Sequence, residues 1–193
     1  MNEYVTGTGC TIDDDVTIGY PVGDDPKQTV IGDEARIRSG TIIYSDVDIG
    51  DDFITGHDAL VRENTQIGDD VVVGTKTVID GTSVIGSNVS LQSRVYVPTN
   101  TTIGNNVFVG PGAVLTNDPY PVRQDVEMAG PTLEDGASVG GNATILPDVT
   151  VGKNAFVAAG AVVTKDVPPE TLAVGTPTKH HPLPAELQEK NSI

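Results

Sequence analysis

Asn117 stands where a strictly periodic chain loses its period, in the run "GPGAVLTNDPYPV" from Gly110 to Val122. Its carboxamide hydrogen-bonds without titrating, so it can orient a reactant or steady a developing oxyanion, and equally it can shape a turn. Asp118 follows in a slot held elsewhere by Asp, Asn or Gly, which favours the turn over substrate contact. His57, in "ITGHDALVREN", is the only histidine ahead of the C-terminal "KHHP" and offers a base or a ligand, or simply a surface corner. Thr75 and Ser93 follow it at eighteen-residue steps and make its column polar. Glu63 lies three such steps before Asn117, in a column with Gly81 and Thr99, where it lines the same groove or is merely solvated. Gly141, Ala159 and Pro177 are also eighteen residues apart. A column without bulk lets a thin ligand arm lie against backbone amides and carbonyls, or lets two subunits pack closely.

The elements that must position these residues follow from a repeat. Ile31, Ile49, Ile67, Ile85 and Ile103 each precede a glycine at eighteen-residue spacing, and the finer period is six. From Ile31 through Ile37, Ile43 and Ile49 to Leu115, every sixth residue is aliphatic except Thr55, and the same phase returns from Leu133 to Val163. Two residues earlier a register of Ala, Ser and Thr recurs, so each unit reads as a short strand with one face inward. Three residues after the aliphatic stand Asp52, Asp58, Asn64, Asp70, Asn88, Asn106, Gly112 and their kin, residues that tolerate positive φ and turn a corner. Three sides and three corners close a coil in eighteen residues, and stacked coils make a triangular parallel β-helix. At Thr55 the small slot beside it holds Phe53, so the two volumes exchange places and the core stays filled.

Carrying the six-residue phase past Leu115 would turn Pro121 and Glu127 inward, which no dry prism accepts. Residues 116–132 therefore leave the coil as an excursion loop, and a loop this long on so economical a scaffold points to function. The chain reads as one domain, with coils over 10–115 and 133–178. A shorter surface loop at "YPVGDDPKQ" and a tail over 179–193 complete it, the tail suited to a short helix capping the open end.

The pattern quoted as "TVIGDEARIRSGTIIYSDVDIG" resembles the left-handed β-helix of the hexapeptide-repeat acyltransferases, which implies an all-β, left-handed fold. "VFVGPGAVLTNDPYP" with the coils downstream is similar to the nucleotide-sugar N-acetyltransferases, nearest in pattern to those acting on a UDP-linked 3-amino sugar. That resemblance implies acetyl-CoA as acyl donor, a homotrimer with the loop over a cleft between subunits, and Asn117 at the reacting centre. "AAGAVVTKDVPP" and "GTPTK" resemble the terminal coils and the Gly-x-Pro-Ala-[Lys/Arg] signature around the coenzyme, with Thr178 in place of Ala. This implies coenzyme contacts at Gly141, Ala159, Gly160 and Pro177, with Lys165 and Lys179 toward its phosphates. An amine need only be neutral to attack a thioester, whereas a sugar hydroxyl needs a base, so the loop without histidine favours N-acylation.

Net charge is −16, from 27 acidic and 11 basic side chains spread along the chain. Such a surface repels nucleic acid and anionic membrane, and a high-salt cytoplasm would explain the excess, as would an ordinary acidic protein. The start "MNEYVTGTGC" lacks a basic, apolar leader, and no run is long enough to span a bilayer, so a cytoplasmic chain is expected. Cys10 is alone and forms no intrachain disulfide. Three other readings compete: O-acetylation with His57 as base, a non-catalytic β-helix scaffold, and a γ-type carbonic anhydrase. The last needs three coil histidines on zinc, and only His57 is there, so no metal site is expected.

Overall fold

Each six-residue unit becomes one side of a triangular coil in the computed structural model, which describes residues 4–193. The described strands form three sheets of eight, ten and eight, parallel except for one pair at the C-terminal end. Registers such as Ile67↔Ile85 and Val73↔Leu91 repeat the eighteen-residue step. The result is a left-handed parallel β-helix. Every aliphatic position from Ile31 to Val163 is at most 5 % exposed, as is the small register from Ala35 to Ala161. The two registers interdigitate as a single dry core running the length of the prism.

The corners behave as their composition dictates. Asp52, Asp58, Asn64, Asp70, Asn88, Asn100, Asn106, Asn142 and Asn154 all have positive φ. Corner one joins the first and second sheets and carries a ladder in which each side chain accepts from the amide one coil below. Asp33 N–H donates to Asp51 Oδ1 at 2.7 Å, Asp51 N–H to Asp69 Oδ1 at 2.9 Å, and Ser87 N–H to Asn105 Oδ1 at 2.9 Å. Corner two joins the second and third sheets, and corner three the third and first. Phe53 is fully buried, and the buried Thr55 hydroxyl accepts from Arg38 N–H at 2.9 Å and meets Thr41 Oγ1 at 3.1 Å. The volume exchange thus keeps the core filled, and the Thr55 hydroxyl it brings inward is paired.

Three features depart from the simple phase. The first sheet starts earlier than the six-residue register reads, because Tyr4–Thr6 pairs with Thr29–Ile31 across the exposed 20–28 loop. In the last coil Val167 bridges Val151, and Ala173 pairs with Val157, a sixteen-residue offset. Corner three is two residues shorter there, and Val167 takes the aliphatic place. The tail does not cap the open end with a helix. Lys179–Pro182 forms a strand antiparallel to Thr171–Val174, and the helix is a single 3-10 turn, Ala185–Leu187. Leu183 is buried, and Asn191 runs back down the flank to bond Ser138 Oγ at 2.8 Å and the Asn106 carbonyl at 2.9 Å. With only one helical turn available, satisfying backbone polar groups against an existing sheet edge wins over helix formation.

Candidate active site

The excursion leaves the prism at corner three, between Val114–Leu115 on the third sheet and Thr132–Leu133 on the first. Its base is held firmly. Ala129 N–H donates to the Asn117 carbonyl at 3.0 Å, Asn100 Nδ2 to the Met128 carbonyl at 2.8 Å, and Asp148 N–H to the Ala129 carbonyl at 3.0 Å. Beyond these ties, residues 119–125 are exposed. At their tip Val122 projects fully into solvent with φ 53, a conformation a β-branched residue avoids.

Asn117 is half-buried at the loop's entrance. Its Nδ2 donates to Thr99 Oγ1 at 2.8 Å and to the Thr99 carbonyl at 3.3 Å, one coil below. A carbonyl only accepts, so the nitrogen must face Thr99 and Oδ1 is turned the other way, without a partner among the described residues. The side chain therefore presents an acceptor, not a donor, to whatever approaches. Asp118 is spent on the turn, its Oδ1 accepting from Tyr120 N–H at 2.7 Å.

Glu63 stands in the Asn117 column three coils lower and is likewise engaged. Arg62 grips it through Nη2 at 2.8 Å and Nε at 3.1 Å, and reaches Asp80 Oδ1 through Nη1 at 3.0 Å. Tyr96 OH donates to Asp80 Oδ2 at 2.9 Å, and the guanidinium lies 5.5 Å from the Tyr44 ring centroid. These bonds raise the Arg62 pKa further, Glu63 first and Asp80 next. Burial, then the bond to Asp80, push the Tyr96 phenol up. Sequence reasoning missed this network, although Tyr44, Arg62 and Asp80 stand eighteen residues apart and so share one column.

Corner two holds the small residues. Gly141 and Ala159 are neighbours there, Gly160 N–H donates to the Gly141 carbonyl at 2.9 Å, and the space a side chain would fill at Gly160 is empty. Pro177 is not in this column. Val162 N–H donates to the Gly175 carbonyl and Thr178 N–H to the Val162 carbonyl, each at 3.0 Å, which puts Pro177 against the third sheet, past the corner. The two-residue contraction before Val167 is the cause. Lys165 is exposed at corner three, and Lys179 is exposed on the added strand beside Val174. His57 is exposed on corner two, four coils below Gly141, about 19 Å at the usual strand spacing. Asn117 and the Gly141–Ala159 corner thus flank opposite edges of the third sheet, and His57 is remote from both.

The sequence pattern of the bacterial transferase hexapeptide family (six repeats) matches residues 82–117 and 130–165, interrupted where the excursion lies. These residues are hexapeptide repeats of that family. The hexapeptide prism is similar to that of the Arabidopsis UDP-N-acetylglucosamine acyltransferase, at 21% identity and TM-score 0.73 over 97% of this chain and 73% of that one. It is also similar to LpxA, a UDP-N-acetylglucosamine acyltransferase from Bacteroides fragilis 9343, at 21% identity and TM-score 0.67 over 90% and 72% of the two chains. No curated protein sequence matches the chain. Among the described residues, no helix is long and apolar enough to cross a membrane, and no three His, Cys, Asp or Glu side chains are grouped to hold a metal ion.

Proposed function

We propose that the hexapeptide chain works as a cytoplasmic homotrimer that transfers an acetyl group from acetyl-CoA to the amino group of a nucleotide-linked amino sugar. The observation that carries the reading is the orientation of Asn117: Nδ2 is held by Thr99, and Oδ1 faces outward at the entrance of an anchored loop. An outward acceptor suits an amine N–H. It fixes the nitrogen so that its lone pair points at the thioester carbonyl, and orientation of this kind supplies much of the rate of a bimolecular acyl transfer. The amine nitrogen forms the new amide bond, the C–S bond of the thioester breaks, and the thiolate takes the proton the amine loses. No general base is required once the amine is neutral.

The bulk-free surface at Gly141, Ala159 and Gly160 suits the pantetheine arm, with Lys165 and Lys179 toward the coenzyme's phosphates; Pro177 drops out of this set. Both fold relatives named above are acyltransferases of a nucleotide sugar, which agrees with the substrate class. Because Asn117 and corner two lie at opposite edges of one sheet, a site using both is completed by bringing a corner of one subunit against the loop of another, as a closed trimer does. Glu63 and Asp118, spent within the chain, serve the site by holding its walls.

Two measurements test the reading. Sedimentation at micromolar concentration should give a trimer, and immobilised coenzyme A should retain the protein. A monomer that passes through the coenzyme column would instead mark a non-catalytic scaffold.

A further inference from the structure

Corner two carries a feature that the Asn117 chemistry does not use. Its left-handed slot holds Gly40, Asp58, Gly112, Asn142 and Gly160, residues suited to positive φ, yet in two successive coils it holds Lys76 at φ 58 and Arg94 at φ 61. A long cationic side chain gains nothing from that backbone, so its presence calls for another reason.

The charge setting sharpens the point. Only 11 basic side chains face 27 acidic ones in this chain, yet none of the ion pairs among the described residues involves Lys76 or Arg94. Both are exposed. Asp58, the acid one coil below Lys76, turns its Oδ1 down over Gly40 and away from the lysine. The backbone is also open here. At corner one the amides of Asp51 and Asp69 are capped at 2.9 and 3.0 Å by the next coil's side chain. The corresponding N–H groups of Thr75 and Ser93, each just before a cation, have no acceptor among the described residues. Two unneutralised cations one coil apart, about 4.8 Å, beside two uncapped amides and two hydroxyls, match a phosphate bridged by both or a diphosphate with one phosphoryl on each.

We propose that Lys76 and Arg94, with Thr75 and Ser93, form a phosphate subsite on corner two. Which phosphate occupies it rests on the acyl-transfer reading: the diphosphate of the nucleotide-linked acceptor, or the phosphates of coenzyme A. Binding of phosphate itself does not depend on that reading.

The test is calorimetry on the full chain with inorganic pyrophosphate, UDP and adenosine 3′,5′-bisphosphate, comparing Lys76→Asn and Arg94→Asn with the parent. Asparagine occupies the same left-handed slot at Asn142, so the variants should melt no lower than the parent. Each should weaken pyrophosphate binding by about ten-fold or more, the scale of one charge-assisted hydrogen bond, while Lys153→Asn on corner one leaves it unchanged. Loss of UDP affinity in the variants assigns the subsite to the acceptor, and loss of bisphosphate affinity assigns it to the coenzyme. Pyrophosphate binding that is absent in the parent, or equal in parent and variants, overturns the proposal. Failure of acetyl transfer to amino sugars alongside variant-sensitive pyrophosphate binding would remove the acyl-transfer reading and leave the subsite standing.

Discussion

Asn117→Ala separates the two roles this residue can play. The substitution deletes the Nδ2 contacts to Thr99 Oγ1 at 2.8 Å and to the Thr99 carbonyl at 3.3 Å, while the backbone tie from Ala129 to the Asn117 carbonyl remains. One good side-chain hydrogen bond contributes about 1 kcal/mol net, and water can reach the half-buried Thr99 afterwards, so the loss stays near that figure. For a chain of this size the melting temperature should fall by about 2–4 °C. Turnover with an amino-sugar acceptor should fall much further, about a hundred-fold, because Oδ1 holds the attacking amine in line with the thioester carbonyl. Thr99→Val supplies the contrast: it removes the 2.8 Å acceptor and should cost similar stability, but it keeps Oδ1 and so should cost less turnover. Thermal melts and a thiol-release assay on both variants decide the matter. If Asn117→Ala melts as expected and turns over at the parent rate, Asn117 only shapes the corner, and His57→Ala becomes the variant to examine.

Other expectations follow from the same geometry. Phe53 is fully buried and fills the volume Thr55 leaves, so Phe53→Ala should cost about 3–5 kcal/mol in denaturant unfolding; a loss under 1 kcal/mol would mean that the core is not packed as described. Asp33, Asp51 and Asp69 stack one coil apart, and Asp51→Asn keeps an oxygen for the Asp33 amide, as Asn105 does for Ser87, while removing charge. It should raise the melting temperature at low salt, and the gain should shrink in molar potassium chloride, where the parent itself becomes more stable; a parent melting temperature flat in salt refutes the repulsion argument. Burial and the bond to Asp80 raise the Tyr96 pKa. The folded state then binds that proton more tightly than the unfolded chain, so this stabilisation is full below about pH 10 and is lost as pH rises through the folded value. Melting curves from pH 9 to 11 should show a steeper decline for the parent than for Tyr96→Phe, and equal slopes would contradict the assignment.

The core was legible because burial in a β-helix is a matter of phase: Ile31, Ile37, Ile43 and their successors are inward for the same reason that Asn64 and Asn88 are at corners. Phase reasoning failed in the last coil, where the six-residue step past Val163 lands on Pro169 and Gly175 and the true inward residues stand two places earlier. Val167 satisfies the core two residues early, and the shift displaces Pro177 from the Gly141–Ala159 column. The tail's short helix is present as one 3-10 turn, but its strand was not legible, because the exposed edge of the second sheet, which Lys179–Pro182 pairs with, exists only once the coils are stacked. At the site, the sequence singles out Asn117 but not which end of its amide faces outward, since that depends on the Thr99 carbonyl one coil below. Glu63 reads as a groove-lining or solvated residue until Arg62 is seen to grip it while bridging to Asp80 one coil on. Lys76 and Arg94 are exceptions in the corner register that sequence reasoning passed over, and only the open amides beside them give the exception a use.

The central claim is transfer of an acetyl group to an amine, and it is tested most directly by thiol release from acetyl-CoA across UDP- and dTDP-linked amino sugars, each paired with the same sugar bearing a hydroxyl in place of the amine. Release that requires the amine, rises with pH as the ammonium is neutralised, and falls at least ten-fold in Asn117→Ala is the predicted result. Release with the hydroxyl acceptors that survives in Asn117→Ala and vanishes in His57→Ala would contradict it.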